Sequence, residues 1–179
     1  IAFRGTDSTL VGWKEDFNMA FQSPVPSQVS AQEYLEEAAA ALDGPLYVGG
    51  HSKGGNLAVY AAIMCPHAQQ DRIVRAFSHD GPGFNENFLR GKGFARMRDR
   101  IDKTLPRSSV FGMIFEDYSI VDSTSFALMQ HNPFSWVVDD TEFRCVERIS
   151  AGARYVDSTL ANWVAQVSPE ERERFIDAL

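Results

Sequence analysis

The chain has 179 residues and a mass of 20.0 kDa, enough for one domain with a substantial buried core. Its 44% hydrophobic and 23% charged residues are ordinary for a globular protein, and its net charge of −7 argues against a general nucleic-acid binder. The two cysteines, Cys65 and Cys145, form no C-x-x-C pair, so we expect them to serve packing rather than a disulfide framework or a metal site.

The chain opens on Ile1-Ala2-Phe3, which has the pattern of a buried strand already under way. We therefore expect the sequence to be a fragment of a longer chain, with residues 1–179 forming one domain. No apolar run approaches the ~20 residues that cross a membrane, and no signal peptide is visible. The expected location is the cytoplasm.

Strands and helices are predicted to alternate along the chain. Ser30 and Glu33 form a capping box that predicts a helix start, and Ser168-Pro169 predicts another. In chain order we predict a strand at 1–3, a loop at 13–29, a helix at 30–42, a strand at 46–48, a helix at 53–64, a strand at 73–77, a charged helix-like segment at 85–104, a strand at 109–115, and a hairpin formed by 134–138 and 143–149. This order predicts an α/β fold with a mostly parallel central sheet flanked by helices.

The segment Gly50-His51-Ser52-Lys53-Gly54 matches G-x-S-x-G, the turn that exposes a nucleophilic serine between a strand and a helix. Ser52 is therefore the candidate nucleophile. The N–H of Lys53, at the start of the helix, is one candidate donor to an oxyanion, and its side chain is expected to face solvent. A second donor must follow an earlier strand, where Thr6 offers both its N–H and its hydroxyl.

A serine hydroxyl needs a histidine to accept its proton. His51 adjoins Ser52 and is expected to point away from it, while His67 lies at the wrong end of the following helix. His79 follows a strand but precedes every late acidic residue. His131, which comes after the serine and after an acidic strand end, is the candidate base.

The third member of such a site is a carboxylate that orients the histidine, and this fold class orders its residues Ser, acid, His. Asp117 fits best, because it follows the predicted strand 109–115. Glu116 and Asp122 are rivals for the same place. Asp80 is a weaker candidate, since it lies one strand earlier.

Two motifs together resemble those of known lipases. FRGTDSTLVGWKEDF is similar to the oxyanion-loop motif of class 3 (fungal-type) lipases, and GHSKGGNLA to their serine turn. An uncharacterised bacterial family of lipase-like α/β-hydrolases is closer still, through the lysine after the serine and the late segment QHNPFSW. The resemblance covers residues 1–136. It implies an α/β-hydrolase fold without its first strands, with Ser52 as nucleophile, Thr6 in the oxyanion hole and His131 as base.

The resemblance does not identify the acid. Class 3 lipases carry a proline shortly after the acid, whereas Asp117 is followed by Tyr-Ser-Ile-Val, and only a short interval separates it from His131. The expected activity is a serine hydrolase that cleaves lipid-like or short acyl carboxylic esters, with no metal or organic cofactor. The alternatives are an acyltransferase or thioesterase with the same residues, and a non-catalytic binding protein.

The segment 90–107 carries a local charge of about +5, from seven basic residues against Asp99 and Asp102. The simpler interpretation is a solvated helix face, and the alternative is a weak contact with an anionic lipid surface. The basic residues are Arg90, Lys92, Arg96, Arg98, Arg100, Lys103 and Arg107.

Overall fold

The computed structural model describes residues 1–6, 19, 23–109, 118–168, 171 and 174. Within these residues, five strands form one sheet in the order β1-β2-β3-β4-β5, and every pairing in it is parallel. The strands are β1 (Ala2–Phe3), β2 (Leu46–His51), β3 (Ile73–His79), β4 (Ile101–Pro106) and β5 (Ser119–Val121). The predicted α/β class with a parallel sheet is confirmed.

The helices are α1 (Pro26–Ala41), α2 (Lys53–Met64), α3 (His67–Gln70), α4 (Glu86–Leu89), α5 (Lys92–Met97) and α6 (Ala151–Gln166). Helix α2 packs between the sheet and α1, and all but its last residue are buried. Small side chains line much of this helix, so its axis can approach the sheet closely. The buried core includes Leu35, Val48, Val59, Ile63, Ile73, Phe84 and Met97.

Helix α1 begins earlier than predicted. The expected start at Ser30 is wrong, because Pro26 occupies the first turn, where its missing N–H costs no hydrogen bond. Val25 precedes the helix, and its N–H donates to the side-chain oxygen of Gln28 at 3.0 Å. Gln28 therefore makes the contact to the residue before the helix that the capping box predicted for Glu33.

The charged segment 85–104 is not one helix. Helices α4 and α5 are short, a 3-10 turn follows at Arg98–Arg100, and the chain then enters β4 between β3 and β5. Because Asp102 and Lys103 are charged, the sequence predicted that this strand belongs to the helix-like segment. Ser109 lies in a loop rather than a strand, and residues 110–115 of the predicted strand lie outside the described residues.

A hairpin lies at the predicted turn, where β6 (Val138–Asp139) pairs antiparallel with β7 (Glu142–Phe143). The predicted strands 134–138 and 143–149 share only Val138 and Phe143 with it, and Pro133–Ser135 forms a 3-10 turn instead. Helix α6 was not predicted. At the next predicted helix start, the Ser168 hydroxyl accepts the N–H of Glu171 at 3.2 Å, and the Glu171 carboxylate accepts the N–H of Ser168 at 2.9 Å.

Cys65 is buried, as expected, whereas Cys145 is exposed, and both thiols are free. In the part of the chain that the structure describes, no helix has the length and apolar character needed to cross a membrane.

Candidate active site

Ser52 lies on a sharp turn between β2 and α2, with backbone angles φ 57° and ψ −132°. Such a positive φ is strained for a residue other than glycine and is typical of functional turns. The Ser52 N–H donates to the carbonyl of His79 at 2.9 Å, which ties the turn to the end of β3.

The two glycines of the G-x-S-x-G motif allow three elements to meet at this turn. A Cβ added to Gly50 would lie 2.3 Å from the carbonyl carbon of Gly54, and a Cβ added to Gly54 would lie 2.1 Å from the carbonyl oxygen of Phe3. Real Cβ atoms do not approach backbone so closely. The motif therefore reflects the contact of β1, β2 and α2 beneath Ser52.

The structure brings Ser52 and His131 together. His131 ends the 3-10 turn Ala127–His131, and its Nε2 lies 3.0 Å from the Oγ of Ser52. Its Nδ1 lies 2.6 Å from Oδ2 of Asp80. Because an ionised carboxylate can only accept, Nδ1 carries the proton and Nε2 is left to accept from the serine hydroxyl.

The carboxylate on His131 is therefore Asp80, the candidate that sequence reasoning ranked below Asp117. Asp80 directly follows β3, is 1% exposed, and adopts φ 49°. Its other oxygen, Oδ1, accepts from the hydroxyl of Ser109 at 2.5 Å. The expectation placed this contact after the predicted strand 109–115, whereas the structure places it at the end of β3, which is paired with β2 and ends beside Ser52. Asp117 itself lies outside the described residues.

Asp122, one of the rival acids, has a different contact in the described structure. The Oδ1 of Asp122 accepts the N–H of Ser123 at 3.0 Å, so that oxygen is used in its own turn. Glu116 lies outside the described residues. A signal for Asp80 was present in the sequence: Asp80-Gly81-Pro82-Gly83 follows an apolar strand, and such glycine-rich turns at strand ends often carry functional side chains.

The loop that carries His131 is fixed at several points. The side chain of Gln130 accepts the N–H of Ser108 at 2.8 Å and donates to the carbonyl of Ser125 at 2.9 Å. The Gln130 carbonyl accepts the indole N–H of Trp136 at 2.7 Å. These bonds connect the loop that carries His131 to Ser108, which lies outside the loop.

His51 has a positioning contact that sequence reasoning missed. Its Nε2–H donates to the carbonyl of His131 at 2.7 Å, and the two rings lie 4.6 Å apart. Burial, followed by the neighbouring His131, lowers the pKa of His51 below its usual value. His51 is thus a neutral donor that ties the serine turn to the histidine loop.

The turn after Asp80 rests on a buried amide network. Asn56 of α2 donates to the carbonyls of Pro82 and Gly83 at 3.0 and 3.2 Å. Gln28 donates to the side-chain oxygen of Asn56 at 2.8 Å, and both amides are 0% exposed. Fully satisfied buried networks of this kind specify a single arrangement of the loop.

Both predicted oxyanion segments flank Ser52. The pairing of Phe3 with Gly50 brings the turn that contains Thr6 beside the serine, and a Cβ on Gly5 would lie 3.7 Å from that of Ser52. Lys53 is the first residue of α2, at the positive end of the helix dipole. Its side chain is 8% exposed, so the expected solvent exposure is wrong.

The imidazole of His79 and the position of His67 differ from those of the proposed base. His79 packs edge-on against Trp136 and Phe143, with ring centroids 5.8 Å away in each case, and burial lowers its pKa. His67 begins α3 at the end of the helix leaving the serine turn. Within the described ranges, no group of three or more His, Cys, Asp or Glu side chains is placed to hold a metal ion.

Comparison with known proteins identifies a family. Neither the curated proteins nor the solved structures include a significant match to this chain. The family model described as Mbeg1-like, in contrast, matches residues 1–179. Since that match extends over the whole sequence, the chain belongs to the Mbeg1-like family.

Proposed function

We propose that the protein is a serine hydrolase that cleaves carboxylic esters through an acyl-enzyme. The observation that carries this proposal is the hydrogen-bonded series from Ser52 to His131 at 3.0 Å and from His131 to Asp80 at 2.6 Å. A nucleophile, a base and an orienting carboxylate in this order constitute the arrangement by which a hydroxyl is activated at neutral pH. The lipase-like motifs around Thr6 and Ser52 support esters as the substrate class.

In the proposed reaction, the Oγ of Ser52 attacks the ester carbonyl while His131 accepts its proton at Nε2. The negative charge that develops on the carbonyl oxygen is stabilised by the N–H of Lys53 and by Thr6. His131 then protonates the leaving alcohol. In the second half of the reaction a water molecule, activated by His131, releases the acid and restores Ser52. Asp80 stays ionised and stabilises the imidazolium that forms in each half.

The surroundings of His131 favour an apolar acyl group. The segment 126–134 exposes four large apolar side chains within nine residues, and the same segment carries the histidine. Phe126 is 86% exposed and Phe134 is 96% exposed. Leu128 and Met129 are exposed as well. Several apolar side chains left in water beside the proposed base are typical of a surface that contacts an apolar ligand.

The basic segment 90–107 gives this proposal little support. Arg96 pairs with Asp71 at 2.5 Å, and Arg100 donates to the carbonyls of Gln70 and Ile73. These contacts lie at the amino-terminal end of β3, whereas Asp80 follows its carboxyl end. A weak contact of the arginines with an anionic lipid surface would therefore turn the reacting serine away from that surface.

The first test is covalent labelling of the full chain by a fluorophosphonate, followed by a panel of chromogenic esters of graded acyl length. We expect labelling on the peptide that contains Ser52 and measurable hydrolysis of at least one ester. Addition of alcohols and thiols as acyl acceptors distinguishes hydrolysis from acyl transfer through its products. Absence of labelling at Ser52 in folded protein would overturn the proposal in favour of a binding protein.

The exposed apolar side chains lead to a prediction on selectivity. The double change of Phe126→Ser and Phe134→Ser is expected to lower kcat/KM for a decanoyl ester about tenfold or more, because each phenyl group buried against an acyl chain stabilises by roughly 1–3 kcal/mol. The value for the acetyl ester should change less than about twofold. Tyr155→Ser, at an exposed aromatic on α6, is the matched control. Equal losses for both esters would contradict an acyl-binding role.

A further inference from the structure

Lys103 is a buried cation on β4, between β3 and β5 in the sheet, and the mechanism above does not use it. The residue is 2% exposed, and its ammonium donates to the carbonyl of Gly81 at 3.1 Å. Lys103 is paired in register with Ser78 of β3, whose hydroxyl lies against Gly55 of α2. The lysine side chain therefore points to the α2 face of the sheet, beneath the turn that follows Asp80.

The electrostatic setting of Lys103 is unusual. Burial of an ammonium is strongly unfavourable unless a partner compensates for the lost water. Burial lowers the pKa of Lys103 from its ordinary value to about 7, and the negative charge of Asp80 opposes this fall. The two residues are 2% and 1% exposed, so their charges interact with little screening by solvent.

The titratable groups next to Ser78 and Lys103 in the two paired strands lie on the other face of the sheet. His79 and Asp102 are the chain neighbours of Ser78 and Lys103 along their strands, so their side chains project from the opposite face of the sheet. On the α2 face, Lys53 lies at the start of the helix. His131 is reached through Asp80, whose Oδ2 it contacts.

We propose that Lys103 is a positioning residue for the reaction, whose ammonium balances the buried carboxylate of Asp80 and holds the turn at Gly81. This inference rests on the proposed function. The positive charge of Lys103 offsets the negative charge of Asp80 and opposes the addition of a second positive charge on the neighbouring imidazole of His131.

The direction of the pH effect follows from the signs of the charges. Removal of a nearby positive charge favours the protonated imidazolium, so the acid limb of the pH–rate profile moves to higher pH. Since Lys103 itself loses its charge near pH 7, its influence is concentrated below that pH. Above pH 8 the wild type and a neutral variant should therefore become alike.

The experiment compares the wild type with Lys103→Met and Lys103→Gln in the full chain, from pH 5 to 9. The readouts are kcat, KM and the rate of fluorophosphonate labelling at Ser52. Glutamine keeps a donor for Gly81 and loses the charge, so it separates the two functions of the ammonium. We expect both variants to shift the acid limb upward by about one pH unit, which is about tenfold slower turnover at pH 6 with little change in KM. Lys92→Met, at an exposed lysine on α5, is the control.

Two results would overturn the inference. A superimposable pH profile in the folded Lys103→Gln variant would exclude charge balance, and an equal loss of rate at every pH would indicate a structural role alone. NMR titration of the His131 imidazole in the wild type and in Lys103→Gln gives a readout independent of turnover. If the His131 titration differs between the wild type and Lys103→Gln, the charge coupling is supported. If the same wild-type protein is neither labelled nor active, the proposed hydrolase activity is overturned.

Discussion

Replacement of Ser52 by alanine is expected to abolish ester hydrolysis and fluorophosphonate labelling. Every covalent step of the proposed reaction passes through this one hydroxyl, whose oxygen lies 3.0 Å from the Nε2 of His131. In related chemistry the loss of the serine leaves only the small acceleration that an oxyanion hole and substrate binding provide. The measurement is turnover of the best ester of the panel, together with the mass of the labelled peptide.

The same variant should remain folded. The Ser52 side chain makes no capping hydrogen bond to α2, and alanine meets the positive φ at this position with about the same strain as serine. We expect the melting temperature to change by less than about 3 °C. Ser158→Ala, at an exposed serine of α6 that bonds the carbonyl of Tyr155, is the matched control and should keep full activity. Persistent turnover in Ser52→Ala would refute the mechanism.

The serine turn could be predicted from sequence because its determinants are local. A strand, a tight turn and a helix follow one another within about twenty residues. The motif requires glycine at positions 50 and 54, where the structure leaves no room for a Cβ. The start and the end of α2, at Lys53 and Met64, agree with the prediction. Local propensity and tertiary contact point to the same structure there.

The strand β4 could not be predicted in the same way. Its segment IDKTLP places a lysine where a core residue is expected, and a charged residue normally indicates a solvated surface. Pairing with β3 on one side and β5 on the other outweighs this preference. If Lys103 balances the charge of Asp80, the buried lysine in this strand is explained by the proposed active site. Functional sites are where residue preferences for local structure are expected to fail.

The contact between Asp80 and His131 was not predicted from the sequence because it is nonlocal. Asp80 and His131 are 51 positions apart, and only the order of strands in the sheet shows that the end of β3 lies beside the serine turn. Sequence reasoning relied on the chain order Ser, acid, His, which Asp80 and Asp117 both satisfy. It then preferred the later residue for its place after a predicted strand.

Asp80→Asn is expected to lower kcat by about 10⁴, the loss that the same change causes in a serine protease. Asparagine keeps the shape of aspartate and tolerates the positive φ of 49° at this position, so the turn should be retained. Its amide, however, can donate to Nδ1 and so favours the tautomer that leaves Nε2 unable to accept from Ser52. Lys103 loses in this variant the negative charge that raises its pKa, so its buried ammonium can release its proton instead of remaining charged.

The rival carboxylates provide the matched comparison, with kcat and Ser52 labelling measured for all variants at one pH. Asp122→Asn should lose less than about tenfold, because Oδ1 of Asp122 already accepts the N–H of Ser123 and an amide oxygen can do the same. Asp117→Asn and Glu116→Gln are expected to stay within the same limit, since the Nδ1 of His131 already has its acceptor in Asp80. If Asp117→Asn silenced the enzyme while Asp80→Asn remained active, the acid assignment would revert to the later residue. Ser52 and His131 would keep their roles, because the 3.0 Å contact between them involves neither carboxylate.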